Sequence, residues 1–363
     1  MPLDAPATTY SGMPAIRVAG QMLPAVVPNI ARMAMREQLG GLSSLELTLN
    51  DVLSFADGSA GYGATAQSPL QLGAAIEIGM TAADDSPPQQ LFKGTVTAIE
   101  GETGPETSPL FTLLAEDALW KARRTRKSRV FDQQSPADIA RAIAGDHGLT
   151  PEIRGELDQP VSDWVQANES DLAFLRRVLA RFDADVLVVD TRMQVGRIGD
   201  PARATLRLVQ GDTLLRARIT ADLADIASEV RVGSFDPASG EAVLETASSG
   251  ALGPGQGQDG PTLLRPLLDP VRAHVGHQGP MTSAEAQKLA TALYSRRARG
   301  FVRVVATAQG NAELRVGTHV TIAGVNPFFE NTYCVTEATH RFDRDRGYLT
   351  EFRAEGAYLG NGP

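Results

Sequence analysis

Apolar and polar residues alternate along most of the first 120 positions, the period of strands with one buried face. Ala15-Ile16-Arg17-Val18, Leu45-Glu46-Leu47-Thr48-Leu49, Ala75-Ile76-Glu77-Ile78, Leu91 to Ile99 and Leu110 to Leu114 all follow this pattern. Clusters of Gly, Ser, Asp and Pro at 57–63, 84–88 and 101–109 separate them. Several short strands so punctuated predict a barrel-like β domain over residues 1–125.

The period then lengthens. Ser135-Pro136-Ala137-Asp138 joins a capping hydroxyl, a proline at the first helical position and a first-turn acid. Ile139, Ile143 and Ala144 mark the buried face of a helix that should stop near Gly148. A second helix begins near Glu169, with Leu172, Phe174, Leu175, Val178, Leu179 and Phe182 as its apolar stripe. Arg176, Arg177 and Arg181 fall on its other side, facing solvent or a partner. Asp185–Val189 and Gln194–Gly196 read as a hairpin. Residues 126–203 are therefore expected to be a small helical insert.

Alternation returns near residue 204 and continues to the end. Glu229–Phe235 and Glu241–Glu245 flank the turn Asp236-Pro237-Ala238-Ser239-Gly240. Within 248–281, twelve of 34 residues are Gly or Pro, which predicts a long loop or extended arm. Thr282 and Glu285 form a capping box opening a helix over 282–299, with Ala286, Leu289, Ala290 and Leu293 inward. Strands follow at 301–308, 318–323, 332–341 and 348–355. The fold class expected is β-rich α+β: two barrel-like domains, 1–125 and 204–363, around the insert.

Composition narrows the function. Of 363 residues 42% are apolar and 21% charged, as in ordinary globular chains. The net charge of −9 disfavours sequence-specific nucleic-acid binding, which needs a basic face. A single cysteine, Cys334, excludes a disulfide framework and suits a reducing compartment. The N-terminus has no basic start followed by an apolar core, so a secretory signal is not expected. The most apolar run, Val186–Val189, is far too short to span a bilayer.

Chemical motifs are sparse. Gly255, Gly257 and Gly260 match G-x-G-x-x-G, but Gly253-Pro254 precede them and Pro261 follows, where a dinucleotide site needs a long strand and helix. His274 and His277 are spaced H-x-x-H in the same loop without a third ligand at motif spacing, so solvated histidines are expected. Neither cofactor nor metal is expected. Lys121, Arg123, Arg124, Arg126, Lys127 and Arg129 crowd into nine residues. Their alternatives are a solvated strand and turn or a contact with an acidic protein surface; no aromatics interleave as single-strand binding requires.

An ordered series of segments carries a resemblance. Gln166-Ala167-Asn168-Glu169-Ser170-Asp171-Leu172-Ala173-Phe174-Leu175-Arg176-Arg177 resembles the "Q-x-x-E-S-D-x-x-F-L-x-R" signature of the phage late control protein D family. These are baseplate hub proteins of contractile tails, related to the N-terminal part of type VI secretion VgrG spikes. Leu91–Val96 and the stretch from Ala115 to Arg129 resemble further family segments upstream. Downstream, Val230–Pro237 looks like "V-x-G-W-D-P", with Phe235 in place of Trp and Asp236-Pro237 retained. Leu314–Val320 with Gly317, Tyr333–His340, and Gly347-Tyr348-Leu349-Thr350-Glu351-Phe352 are similar to the family's closing segments.

The resemblance implies a structural protein and not an enzyme. It implies a homotrimer whose six barrel-like domains form a pseudo-six-fold ring, seating a hexameric tube or tube initiator on one side. A separate trimeric spike protein sits on the other side, with wedge proteins around. It implies synthesis in the bacterial cytoplasm and incorporation into a tail-like particle. The signature residues are expected to be structural, and Arg123, Arg124, Arg126, Lys127 and Arg129 are candidate protein contacts. The competing expectations are a cell-wall-degrading enzyme of the penetration apparatus and a free-standing soluble binding module.

Overall fold

The computed structural model describes residues 12–54, 60–62, 69–81, 87–104, 107–199, 203–276 and 279–360. A single large sheet of thirteen strands runs through both β units. Its order begins with Leu214–Ala221, Val302–Gln309, Gly347–Gly356 and Asn331–Asp343. It crosses to Ile30–Gln38, Ser44–Asn50, Thr107–Glu116 and Gln89–Gly104, then ends with Ala75–Met80, Pro14–Val18 and Gln21–Met22. The alternating segments are strands as expected, with Leu45, Leu47 and Leu49 fully inward on theirs.

Strand Ile30–Gln38 lies outside the expected set, and it joins the two halves. Its Ala- and Met-rich composition favours a helix locally, yet Met33, Met35 and Glu37 alternate inward. It pairs with residues 337–343 of Asn331–Asp343. Residues 331–334 of that same long strand pair instead with His319–Ala323, which pairs in parallel with Thr205–Val209. A register shift between Val335 and Glu337 marks the change of partner, where a bulge re-aims the strand.

Two apolar cores lie under this sheet. One holds Ile16, Ile30, Leu47, Ile78, Phe92 and Leu113, and Phe342 and Tyr348 reach into it from the C-terminal hairpin. The other holds Leu206, Val304, Leu314, Val320, Tyr333, Val335 and Phe352. The C-terminal hairpin thus serves both, and the first core is not confined to residues 1–125.

The insert has its own core around α1 (Pro136–Asp146) and α2 (Asp171–Ala180). Ser135 caps α1 with a reciprocal bond from Asp138, the arrangement expected. Arg126–Gln134 pairs with Ser162–Ser170. The expected hairpin, Ala184–Val189 with Arg192–Arg197, gains Thr150–Ile153 as a parallel third strand.

The Gly/Pro-rich arm is more structured than expected. Gln258–Asp259 pairs with Tyr358–Leu359, and α3 (Gly260–Leu264) follows with Asp259 capping it through the Thr262 amide at 2.7 Å. Arg272–Val275 then adds in parallel to Glu229–Phe235. Glycine and proline exclude long elements but permit short ones: Pro261 fits the helix start, and a Cβ at Gly260 would meet the Phe301 ring at 2.9 Å. α4 (Ser283–Arg299) carries the expected Thr282/Glu285 box and packs Ala286, Ala290 and Tyr294 on the Glu229–Phe235 sheet.

Candidate functional site: buried ion clusters between the units

The E-S-D signature has a local structural explanation. Ser170 is the N-cap of α2, accepting from the Ala173 amide. Asp171 follows it, 1% exposed. Its Oδ2 accepts from Lys127 at 2.7 Å and lies 2.9 Å from His147 Nε2, while its Oδ1 accepts from Arg129 at 2.9 Å and Gln166 at 3.0 Å. Burial opposes its charge, but the bonds from Lys127, Gln166 and His147 hold the carboxyl below its usual range. Glu169 takes both a 3.0 Å and a 2.8 Å bond from Arg177, whose guanidinium also lies over the Phe174 ring. Phe174 stacks on Phe131 at 5.2 Å, and Leu175 is fully buried. The signature fastens α2 to strand Arg126–Gln134.

The five candidate contact residues of the basic stretch differ in their partners within the chain. Lys127 and Arg129 bind Asp171 and Asp146 within the chain. Arg126 donates to the Asn168 carbonyl at 2.9 Å, and Arg123 pairs with Glu116 at 2.5 Å. Arg124 is exposed with no such partner among the described residues. Of the arginines on and just after α2, Arg177 is exposed, whereas Arg181 is half-buried with its guanidinium over the Trp164 ring.

The C-terminal signature residues form a separate group. Gly317 takes φ +81° in the turn that presents its amide to the Val335 carbonyl, and Gly347 takes φ +72° in the last hairpin turn, both positions that favour glycine. Tyr333 donates to the Phe329 carbonyl at 2.8 Å. His340 Nδ1 lies 2.8 Å from the Tyr348 hydroxyl, with no exposed surface on the histidine. Asp236 organises its turn by accepting from the Ala238 amide, with Pro237 exposed beside it. Asp236-Pro237, the Asp171 cluster and the His340 pair adjoin three different sheets.

Two further clusters escaped the sequence reading. Glu37 has a fully buried carboxylate held by Arg315, whose Nε donates at 3.1 Å and whose Nη2 also donates, and by Arg203 Nη1 at 3.3 Å. Ser43 and the Val316 amide complete its shell. Burial opposes the charge, and the two guanidiniums outweigh it, holding the carboxyl far below its ordinary value. Arg299 of α4, 1% exposed, forms a two-bond pair with Asp183 of the insert at 2.5 and 2.7 Å and donates to Glu355 at 2.9 Å. One signal for Glu37 was present: the inward alternation Met33, Met35, Glu37 puts the acid on the buried face. Arg299 offered no such signal, since it closes a basic helix end whose other arginines, Arg296 and Arg297, are exposed.

Each cluster fastens distant parts of the chain, and an ion pair in a dry interior holds only with a full set of partners in place. Among the described residues no three His, Cys, Asp or Glu side chains converge as a metal site. His274 is exposed and His277 lies outside the described residues. No helix among them is long and apolar enough to cross a membrane.

The chain is thus β-rich, with two cores under one sheet, an α/β insert with its own core, and buried ionic ties. The family model described as phage tail baseplate hub (GPD) matches residues 36–346, and the chain belongs to that family. In fold it is similar to the prophage MuSo2 43 kDa tail protein of Shewanella oneidensis: TM-score 0.71, 12% identity, covering 95% of this chain and 98% of that one. A tail protein of Neisseria meningitidis MC58 gives 0.69 and 13%, covering 96% and 100%. The E. coli c3393 protein, a type VI secretion component, gives 0.57 and 13%, covering 92% and 76%. No curated protein matches in sequence. Family membership makes this chain a structural baseplate hub protein, and its fold is shared with the tail proteins and the type VI secretion component.

Proposed function

We propose that the chain works as a homotrimer that adapts a hexameric tail tube to a separate trimeric spike, with wedge proteins around it. The observation that carries this is the pair of separate cores beneath one continuous sheet. Each chain then offers two β units, and three chains offer six, matching a six-fold partner on one side while keeping three-fold symmetry on the other. The division we propose is a first β unit at 1–125, an insert at 126–203 and a second β unit at 204–363, with the C-terminal hairpin bridging to the first core. The signature residues from Glu169 to Arg177 and from Gly317 to Tyr348 serve as internal fasteners in this scheme. The role is mechanical, without turnover: the chain is made in the bacterial cytoplasm and carried into the particle.

Light scattering on the purified chain tests the association. The expected mass is three times that of the chain, set by interfaces of several thousand Å² in total. A monomer that stays monomeric when mixed with its tube and spike proteins would contradict the proposal, as would release of fragments from peptidoglycan by the pure chain.

A further inference from the structure

The outer face of the large sheet carries an open groove of about 690 Å³. Arg36, Arg123 and Arg124 line it beside Glu46, Glu116, Trp120, Leu72 and Leu114. Arg36 also lines a second depression of about 450 Å³, next to Arg341, Arg353, Glu337 and Glu351. The two depressions share Arg36 and flank the joint between strands Ile30–Gln38 and Asn331–Asp343, and are taken together as one track.

The charges in this track are not balanced. Every acid in its walls has a cation within the chain: Glu116 has Arg123 at 2.5 Å, Glu46 has Arg32 at 3.5 Å, Glu351 has Arg341 at 2.8 Å and Glu337 has Arg353 at 3.3 Å. Arg36 and Arg124 have no carboxylate among the described residues. Two free guanidiniums in a concave face of a chain with net charge −9 are therefore placed for an incoming acid. Leu72, 58% exposed, and Leu114, 37% exposed, add apolar contact in the same groove. The Trp120 indole N–H in its wall has neither acceptor nor solvent, so anything pressing on the Lys121–Arg124 turn alters that ring's surroundings.

We propose that this groove receives a short acidic segment of a neighbouring protein, with carboxylates on Arg36 and Arg124 and an apolar side chain against Leu72 and Leu114. The proposal deepens the hub reading by giving one of its partner surfaces a chemistry. A nucleic-acid strand fits less well: two free guanidiniums are too few to follow a continuous phosphate chain, and a single indole gives no stacking platform.

The test uses the full chain and a fluorescein-labelled octaglutamate peptide, followed by anisotropy at low salt and by Trp120 fluorescence. Octalysine and oligothymidylate serve as comparison probes. The expected result is saturable octaglutamate binding with a change in tryptophan emission that a Trp120→Phe variant lacks. Arg36→Glu with Arg124→Glu, both on exposed positions, should weaken it about tenfold or more, while Arg141→Glu on α1 leaves it unchanged. Equal binding by the double variant, absence of saturation, or tighter binding of oligothymidylate would overturn the proposal. Light scattering on the same samples reports trimer formation separately, so loss of the trimer and loss of peptide binding are told apart.

Discussion

His340 lies in an acid-sensitive environment. Burial first, and then the positive charge of Arg315, push its pKa from the ordinary 6.5 down to about 3. In the unfolded chain it takes up a proton below about pH 6.5, whereas the folded chain holds it neutral. Stability associated with it is therefore complete above 6.5 and declines as the pH falls towards 3. Glu37 adds in the same direction, because its depressed folded pKa stabilises the fold above its unfolded value and this is lost in acid. Asp117 and Asp185 work oppositely: burial raises both to about 6, so their contribution to stability falls as pH rises from the ordinary 3.8 through 6. Urea unfolding at several pH values between 7 and 4 separates these. A His340→Gln variant should lose stability at pH 7 through the lost Tyr348 contact yet show a shallower acid decline, by a few kcal/mol across the range. An unchanged slope would remove His340 as the cause. The signature residues were legible as a pattern, but not their partners: Asp171 was visible, while Lys127, Arg129, His147 and Gln166 converge on it only in the fold.

Helices were the most legible elements, because caps and apolar stripes are local: α1 and α4 start at their signalled Ser135 and Thr282 caps, and α2, expected from near Glu169, is capped by Ser170. Outer strands with clean alternation were equally legible. Strand Ile30–Gln38 was not, since alanine and methionine carry little strand preference and a buried glutamate breaks the apolar rhythm. The arm at 248–281 failed for another reason: its strands are two and four residues long, below what any periodicity can reveal. Its order rests on Pro261, Leu264 and Met281, all buried, and on pairing with strands at both ends. Limited proteolysis of the isolated chain should leave 256–275 intact at protease levels that cut exposed turns. Rapid cleavage there would mean that the arm orders only against a partner.

At the scale of the molecule, three ion clusters fall where parts of the chain meet. Glu37 ties the first β unit to Arg203 and Arg315, Arg299 ties α4 to the insert and to strand Gly347–Gly356, and Asp171 ties α2 to strand Arg126–Gln134. Removing one member of such a cluster leaves an uncompensated buried charge, at a cost of about 3–5 kcal/mol. These ties and the shared strand Asn331–Asp343 join the two β-rich halves, as the proposed passage of thrust from tube to spike would require. The partners in these ties were not readable in advance, because the pairing of residues 32–38 with 337–343 spans almost the whole chain. Electron cryomicroscopy of the assembled particle's distal tail tests the central claim most directly. The account predicts three copies of this chain between tube and spike, their six β units forming one ring. Any other copy number there, or absence from that junction, would contradict it.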